Sequence, residues 1–281
     1  MKAAHLNNNS STLSLGVGLA AAAAFSALYW PTFAWMSERF QEPGTSYSHG
    51  FLVPFVSGYI VWQRRQVLRS MPFAPAPWAL PGLLASVMIH VVSTIWQLHF
   101  VSGFSFITAV WSVIGYFWGS RVARGVAFPM LFMIFMVPLP SVWLIHASFR
   151  LKMAAAQLAT TVVQWMGVPA VREGSAVQLP NCRILVDDTC SGLRSLISLI
   201  ALATVMTQWF PIQTMARRSM LIASAVPMAV AANWLRVTMA ILVGFVYGAK
   251  VAGGVYHDAS GIVAFIVAFI GLAGIARWLS R

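Results

Sequence analysis

Long apolar runs constrain the fold of this chain more than any other feature of its sequence. Several runs of 15–25 residues contain no acidic or basic side chain, and about 20 apolar residues suffice to cross a hydrocarbon core about 30 Å thick. Only 9% of the 281 residues are charged, whereas about a quarter are charged in a soluble domain. Since lipid offers the backbone no hydrogen bonds, each run must fold as a helix. We therefore predict an all-α polytopic membrane protein that forms one domain over residues 1–281.

The lengths of the apolar runs predict about eight transmembrane helices. These candidate spans lie near 13–36, 50–63, 79–96, 104–119, 125–144, 191–210, 219–245 and 261–279. An alternative for the first run is a cleaved signal peptide, since its Ala-rich sequence ends near AAAAFSAL. Cleavage there would leave the topology of the remaining chain unchanged.

The basic residues between the spans predict the orientation, because Lys and Arg in short loops favour the cytoplasmic side. Half of the 18 basic residues fall in four breaks. They are Arg64, Arg65, Arg69, Arg121, Arg124, Arg217, Arg218, Arg277 and Arg281. We expect these breaks and both termini to face the cytoplasm.

Two further stretches are not predicted to span the membrane. A ninth span at 148–167 would place Arg217 and Arg218 opposite the earlier arginine breaks, so we predict an interfacial or re-entrant helix at the outer face. The following sequence, VPAVREGSAVQLPNCRILV, alternates apolar and polar residues. This alternation predicts a small extracytoplasmic β-hairpin.

The formal net charge of +12 does not indicate a nucleic-acid partner in this chain. Its basic residues lie in short breaks between apolar runs and form no patch interleaved with aromatic residues, so we expect a lipid bilayer and no nucleic acid. Cys182 and Cys190 are too few for a disulfide framework, and no Cys/His spacing resembles a metal site. We therefore expect neither a metal nor a cofactor.

Three polar residues from separate segments are predicted to reach the outer face. Cys190 would lie in the first turn of the sixth span, and His257 just before the eighth. Arg236 would lie about 25 Å into the seventh span, at 1.5 Å per residue from its cytoplasmic end. Each one alone fits a structural role: a packed thiol, a snorkelling arginine or a histidine that caps a helix. An arginine inside a span nevertheless needs partners, and the seventh span contains no acid.

Together these residues have the chemistry of acyl transfer. A helix N-terminus and a nearby cation favour the nucleophilic thiolate of a cysteine, whereas Asp187 and Asp188 oppose its ionisation. Arg236 and His257 are therefore expected to decide the balance. A histidine can protonate the leaving amine, and an arginine can hold an oxyanion or a carboxylate.

Several sequence blocks, in this order along the chain, resemble the exosortase/archaeosortase family. They are YSHGFLVP (47–54), the REG segment (172–174), CSGLRSL (190–196), ANWLR (232–236) and HDASG (257–261). The resemblance covers roughly residues 45–279. The combination of blocks is specific, although any single block is weak.

The resemblance implies a prokaryotic cysteine transpeptidase that is similar to sortases in function and unrelated to them in fold. Its substrates would be membrane-anchored proteins with a C-terminal signal: a short motif, often Pro-Glu-Pro, then a transmembrane helix and a basic cluster. The family triad corresponds to Cys190 as nucleophile, Arg236 as electrostatic partner and His257 as acid and base. The resemblance further implies the cytoplasmic membrane of a bacterium that makes exopolysaccharide.

Four more residues are candidates for supporting or substrate-binding roles, namely His49, Arg194, Asn233 and Asp258. We expect His49 to support the site without being catalytic, and Cys182 to be inert. Two alternatives stay open. The chain could be a transporter or export component in which Arg194, Arg236 and His257 line a path for an anion, or a structural partner in which Cys190 is dispensable.

Overall fold

The computed structural model describes residues 19–72, 74–187 and 190–281, with backbone only at Val255, His257 and Asp258. The chain divides into two compact units. The first takes the described residues of Met1–Gln41 together with Ser57–Val137, and the second takes Glu42–Val56 together with Pro138–Arg281. The single domain predicted over 1–281 stays a prediction.

The first unit is helical throughout its regular elements. Its helices are α1 (Leu19–Leu28), α2 (Trp30–Gln41), the second half of α3 (Leu52–Gln63), α4 (Arg65–Arg69), α5 (Ala79–Ile95), α6 (His99–Gly125), α7 (Ala127–Phe132) and a 3₁₀ turn at Met133–Met136. Buried polar groups join three of them. The His90 ring on α5 bonds the Ser102 hydroxyl on α6 at 2.7 Å and the Leu28 carbonyl of α1 at 2.9 Å. Polar groups buried in an apolar interior need such partners, and these two bonds fix the helices relative to each other.

The second unit combines helices with a small sheet. Its elements are a 3₁₀ turn at Ser48–Phe51, the start of α3, α8 (Ser141–Trp165), β1 (Val171–Glu173), β2 (Ala176–Gln178), β3 (Arg183–Leu185), α9 (Leu193–Trp209), α10 (Met215–Tyr247), α11 (Ala249–Gly253) and α12 (Val255–Leu279). α10 packs against α8, α9, α11 and α12. It is therefore the central helix of this unit.

The predicted hairpin is present and gains a third strand. β1 pairs with β2 and β2 pairs with β3, both antiparallel, in the order β1-β2-β3. Val177 and Ile184 from the sheet are buried in one cluster with Val163 of α8 and with Val237 and Ile241 of α10. The sheet is thus held by apolar packing onto two helices. Sequence alternation did not predict β3, since its three residues follow the turn sequence PNC too closely to be read as a separate run.

Three described helices are long and apolar enough to cross a membrane: His99–Gly125, Met215–Tyr247 and Ala259–Leu279. They coincide with the spans predicted at 104–119, 219–245 and 261–279. Shorter apolar helices, Leu19–Leu28, Ala79–Ile95 and Leu193–Trp209, occupy three other predicted spans. The membrane protein is thus mostly helical with three or four candidate spans, and the count of eight stays a prediction.

The predicted boundary between span 125–144 and the interfacial helix 148–167 is displaced. The helical stretch Ala127–Met136 ends before Pro138, and α8 then runs unbroken from Ser141 to Trp165. Together, as one span with a bend between its two helices, they would make the fourth candidate span. Val137 and Pro140 between them are extended, with ψ of 113° and 133°. Prolines lack the N–H that a helix interior needs and force the preceding residue out of the helical region, so Pro138 and Pro140 set the break.

Candidate active site

Cys190 lies in a short turn that leads into α9. Its N–H donates to the Asp187 carbonyl at 2.9 Å, and the residue is 9% exposed. The Ser191 hydroxyl then accepts from the Leu193 N–H at 3.3 Å, which satisfies one of the free donors at the helix start. Cys190 therefore precedes α9, whereas the sequence predicted it inside the first helical turn. The left-handed Gly192 at the N-cap delays the start of the helix.

Asn233 of α10 holds this turn from the side. Its Nδ2 donates to the Cys190 carbonyl at 2.9 Å, and the residue is 6% exposed. Gly192 has φ of +78°, and a Cβ there would lie 2.7 Å from Asn233 Cγ. Glycine is thus required at position 192 for two reasons: its left-handed backbone angle and the close approach of α10. The supporting role predicted for Asn233 now has a geometric basis.

Arg236 lies one turn after Asn233 on α10 and packs against α12. Its Nε donates to the Ser260 hydroxyl at 3.4 Å. A Cβ at Gly261 would lie 3.3 Å from the guanidinium carbon, so the planar group rests directly over this glycine. The Ser260–Gly261 step of α12 therefore lies directly against the guanidinium.

Cys190 and Arg236 border the same cavity of about 210 Å³, and Ser260 lies on its wall. Residues 183–186, which include all of β3, form another part of the wall. The cavity lies wholly within the second unit. The structure therefore brings together two of the three predicted catalytic residues.

The side chains of His257 and Asp258 lie outside the described residues. The backbone at 257 is in the first turn of α12, three and four positions before Ser260 and Gly261. Positions with these spacings share one face of a helix, so position 257 lies on the face of α12 that meets Arg236.

The neighbouring Tyr256 is half-buried beside the same arginine. Burial raises the pKa of Tyr256 above its ordinary value, and the Arg236 guanidinium opposes that shift. The phenol is therefore a neutral hydrogen-bond donor at physiological pH. Sequence analysis did not single out Tyr256.

Two other predicted supporting residues lie away from the cavity wall. Arg194 is exposed on α9. The His49 ring lies against α9 further along, where its Nδ1 is 3.3 Å from the Ser198 hydroxyl, and it stacks on Tyr47 with ring centroids 5.9 Å apart. His49 therefore contacts the helix that begins after Cys190 without bordering the cavity.

The second cysteine is held at the end of α10. Cys182 is a free thiol whose Sγ donates to the Gly244 carbonyl at 3.3 Å. Next to it, Asn181 donates to the Phe245 carbonyl at 2.8 Å. Both contacts attach the loop before β3 to the last turn of α10, and the inertness of Cys182 stays a prediction.

Sequence analysis missed Ser260, β3 and α11 on the cavity wall. Ser260 lies within the HDASG block, and its helical spacing from position 257 was a usable signal. The contribution of β3 carried no signal, because it depends on strand pairing and on the packing of Ile184 against α10.

Comparison of the sequence with protein families gives a match. A family model described as transmembrane exosortase matches residues 35–274, which include every site residue discussed above. Comparisons with curated proteins and with solved structures each gave no match.

Proposed function

Because the chain belongs to the transmembrane exosortase family, we propose that it is a membrane cysteine transpeptidase in which Cys190 is the nucleophile. The observation that carries this proposal is the shared cavity of Cys190 and Arg236. A thiol and a guanidinium that border one cavity supply a nucleophile and a cation for the charge that develops on a carbonyl oxygen.

In the first step, the Cys190 thiolate attacks the carbonyl carbon of the scissile peptide bond. The carbonyl oxygen becomes an oxyanion, which the N–H groups of Arg236 stabilise. The C–N bond then breaks, His257 gives a proton to the leaving amine, and the remaining acyl group is a thioester on Cys190. The bond from Asn233 to the Cys190 carbonyl keeps the turn in place during this attack.

In the second step, an acceptor attacks the thioester carbon. The acceptor is water, an amine or a lipid headgroup, and it loses a proton to His257 as the thiolate leaves. Cleavage and transfer thus differ only in the acceptor, and the same residues serve both.

Membership of the family supports a proposal for the substrate class. We propose membrane-anchored proteins whose C-terminal signal joins a short motif, a transmembrane helix and a basic cluster, in a bacterium that makes exopolysaccharide. The site would lie at the outer face of the cytoplasmic membrane.

The geometry of α10 supports this orientation. Arg236 follows Arg218 by 18 residues, about 27 Å at 1.5 Å per residue, which is close to the thickness of the hydrocarbon core. If Arg218 faces the cytoplasm, Arg236 and the turn of Cys190 lie near the opposite surface. Arg217 also donates to the Leu279 carbonyl at 3.1 Å, so the end of α12 with its Arg277 and Arg281 lies on the Arg218 side.

Trapping of the thioester tests the proposal. A Cys182→Ala chain, whose single thiol is Cys190, is mixed in lipid nanodiscs with a reporter that carries the three-part signal, then quenched in acid. We expect an intact mass equal to the chain plus the N-terminal part of the reporter, and loss of this adduct in hydroxylamine. Equal cleavage of the reporter by a Cys182→Ala/Cys190→Ala chain, with no adduct, would overturn it.

A further inference from the structure

The backbone edge of β3 offers hydrogen-bonding groups at the cavity that holds Cys190. Within the described sheet β3 pairs with β2 alone. The Val186 N–H donates to the Ser175 carbonyl, and the Leu179 N–H donates to the Cys182 carbonyl. Between these two bonds, Val177 lies opposite Ile184. In an antiparallel pair, hydrogen-bonded positions alternate with outward-facing ones. The backbone groups of Arg183 and Leu185 therefore point away from β2.

This outward edge borders the cavity. Side chains of a strand alternate between the two faces of a sheet, yet four consecutive residues, 183–186, line the cavity. If a face of the sheet lined the cavity, only every second residue of the strand would border it. Because consecutive residues border it, the backbone edge of the strand forms this part of the wall. The wall also includes the small residues Ala249, Ala252 and Gly253 of α11, which bring no bulky side chain to it.

The strand is held rigidly enough to act as a template. Ile184 is 9% exposed, and its Cδ1 would lie 2.6 Å from a Cβ at Gly244. Asn181 fixes the preceding loop to the Phe245 carbonyl. Both contacts are to α10, the helix that also carries Asn233 and Arg236, so the edge of β3 and the nucleophile's turn share one support.

We infer that β3 is the substrate-docking strand: an extended segment of the substrate pairs with the backbone of Arg183 and Leu185, and this pairing carries its scissile carbonyl to Cys190. The inference rests on the proposed function and adds how the substrate is held. Strand addition gives affinity through main-chain hydrogen bonds, with little demand on side chains.

The cavity also limits the occupant. Its volume of about 210 Å³ is well above the roughly 10–15 Å³ that one water needs, so a short piece of extended chain has room in it. Arg236 lies on its wall, the Arg183 guanidinium is paired with the Glu173 carboxylate at 3.6 Å, and the described lining residues include no carboxylate. A neutral or acidic segment fits this charge, and a basic one does not.

A series of peptide probes with methylated backbone amides tests the inference without a substitution at the cavity. The probe is N-acetyl-tetra-alanyl chloromethyl ketone, which alkylates a thiolate as chloride leaves. The rate at which it alkylates Cys190 is divided by the rate for 2-chloroacetamide, a small reagent without a peptide chain, and this quotient is the rate ratio. The Cys182→Ala chain in nanodiscs provides a single thiol. Each member of the series carries one methyl group, on a different amide nitrogen of the peptide probe. We expect the rate ratio to fall about three- to tenfold per lost hydrogen bond at alternate amides only, since a paired strand uses every second residue.

A matched pair of proline variants tests the same edge from the protein side. Leu185→Pro removes an outward N–H at the cavity, and we expect a similar fall in the ratio. Arg172→Pro removes the equivalent outward N–H on β1, at the other edge of the sheet, and should leave the ratio as it is.

The outcomes separate the two proposals. Alkylation of Cys190 by 2-chloroacetamide, together with a methylation series that shows no alternation, would overturn strand docking and leave the nucleophile proposal standing. Absence of any Cys190 alkylation would overturn both. If Leu185→Pro fails to fold, the methylation series still decides.

Discussion

At the scale of single residues, Gly192 has the most stringent requirements in the nucleophile's turn. We predict that Gly192→Ala lowers the free energy of unfolding by more than the roughly 1–2 kcal/mol of a left-handed alanine, because its Cβ would also displace Asn233, 2.7 Å away. Denaturant unfolding of the purified chain in detergent measures the loss. Gly174→Ala is the control, since Gly174 has φ of +64° and open space around it. Equal losses in the two variants would contradict the role of the Asn233 contact.

Arg236 is predicted to need its guanidinium shape as well as its charge. Lysine at this position keeps the charge but loses the Nε donor to Ser260 and the planar group over Gly261. We expect Arg236→Lys to reduce the rate of reporter cleavage about 10²–10³-fold, the range found when an oxyanion donor is removed. Arg172→Lys, on the sheet and away from the cavity wall, should cleave normally. An Arg236→Lys rate within about twofold of normal would remove the guanidinium from the mechanism.

At the scale of elements, α10 aligns the site through two residues one turn apart. We predict that Asn233→Ala leaves the buried Cys190 carbonyl without its donor, which costs about 1–3 kcal/mol of stability and slows cleavage by displacing the turn. Denaturant unfolding and reporter cleavage are measured together. Thr238→Val is the matched control, because Thr238 is also buried on α10 but its hydroxyl donates, among the described residues, to the Trp234 carbonyl of its own helix. Cleavage equally slow in both variants would point to general damage of α10.

The helices were more predictable from sequence than their ends. Apolar runs without charge place α6, α10 and α12 because membrane-length helices leave a strong compositional signal. The break at Pro138 and Pro140 was visible in the sequence, yet the length of the apolar run outweighed it when 125–144 was assigned as one span. β3 could not be predicted, because a three-residue strand is defined by its pairing with β2.

At the scale of the whole molecule, the prediction is one of topology. Reporter fusions should give a cytoplasmic signal at Arg218 and an extracytoplasmic signal at Glu173. α10 runs for 33 residues, about 50 Å, from the Arg217–Arg218 end to the end where Asn181 bonds Phe245. The sheet and Arg218 must therefore lie on opposite sides if α10 crosses the membrane. Signals of the same kind at both positions would rule out the outer-face site.

Part of the site was predictable from sequence because charged residues are rare in this chain. Cys190 and Arg236 were identified because thiol and guanidinium stand out in apolar surroundings, and they do border one cavity. Arg194 was a candidate for a supporting role, yet it is exposed on α9 and does not border the cavity. The roles of Cys190, Arg236 and His257 stay predictions.

The central claim is that Cys190 forms the acyl intermediate, and one immunoblot tests it most directly. Cells at equal membrane abundance of each variant express a reporter that carries the three-part signal, and the blot follows its shortened form. We expect no shortening with Cys190→Ala and almost none with Cys190→Ser, since a hydroxyl lacks the accessible ionised form of a thiol. Cys182→Ala should shorten the reporter normally. Full shortening by Cys190→Ala would contradict the account and leave a transporter or structural role in its place.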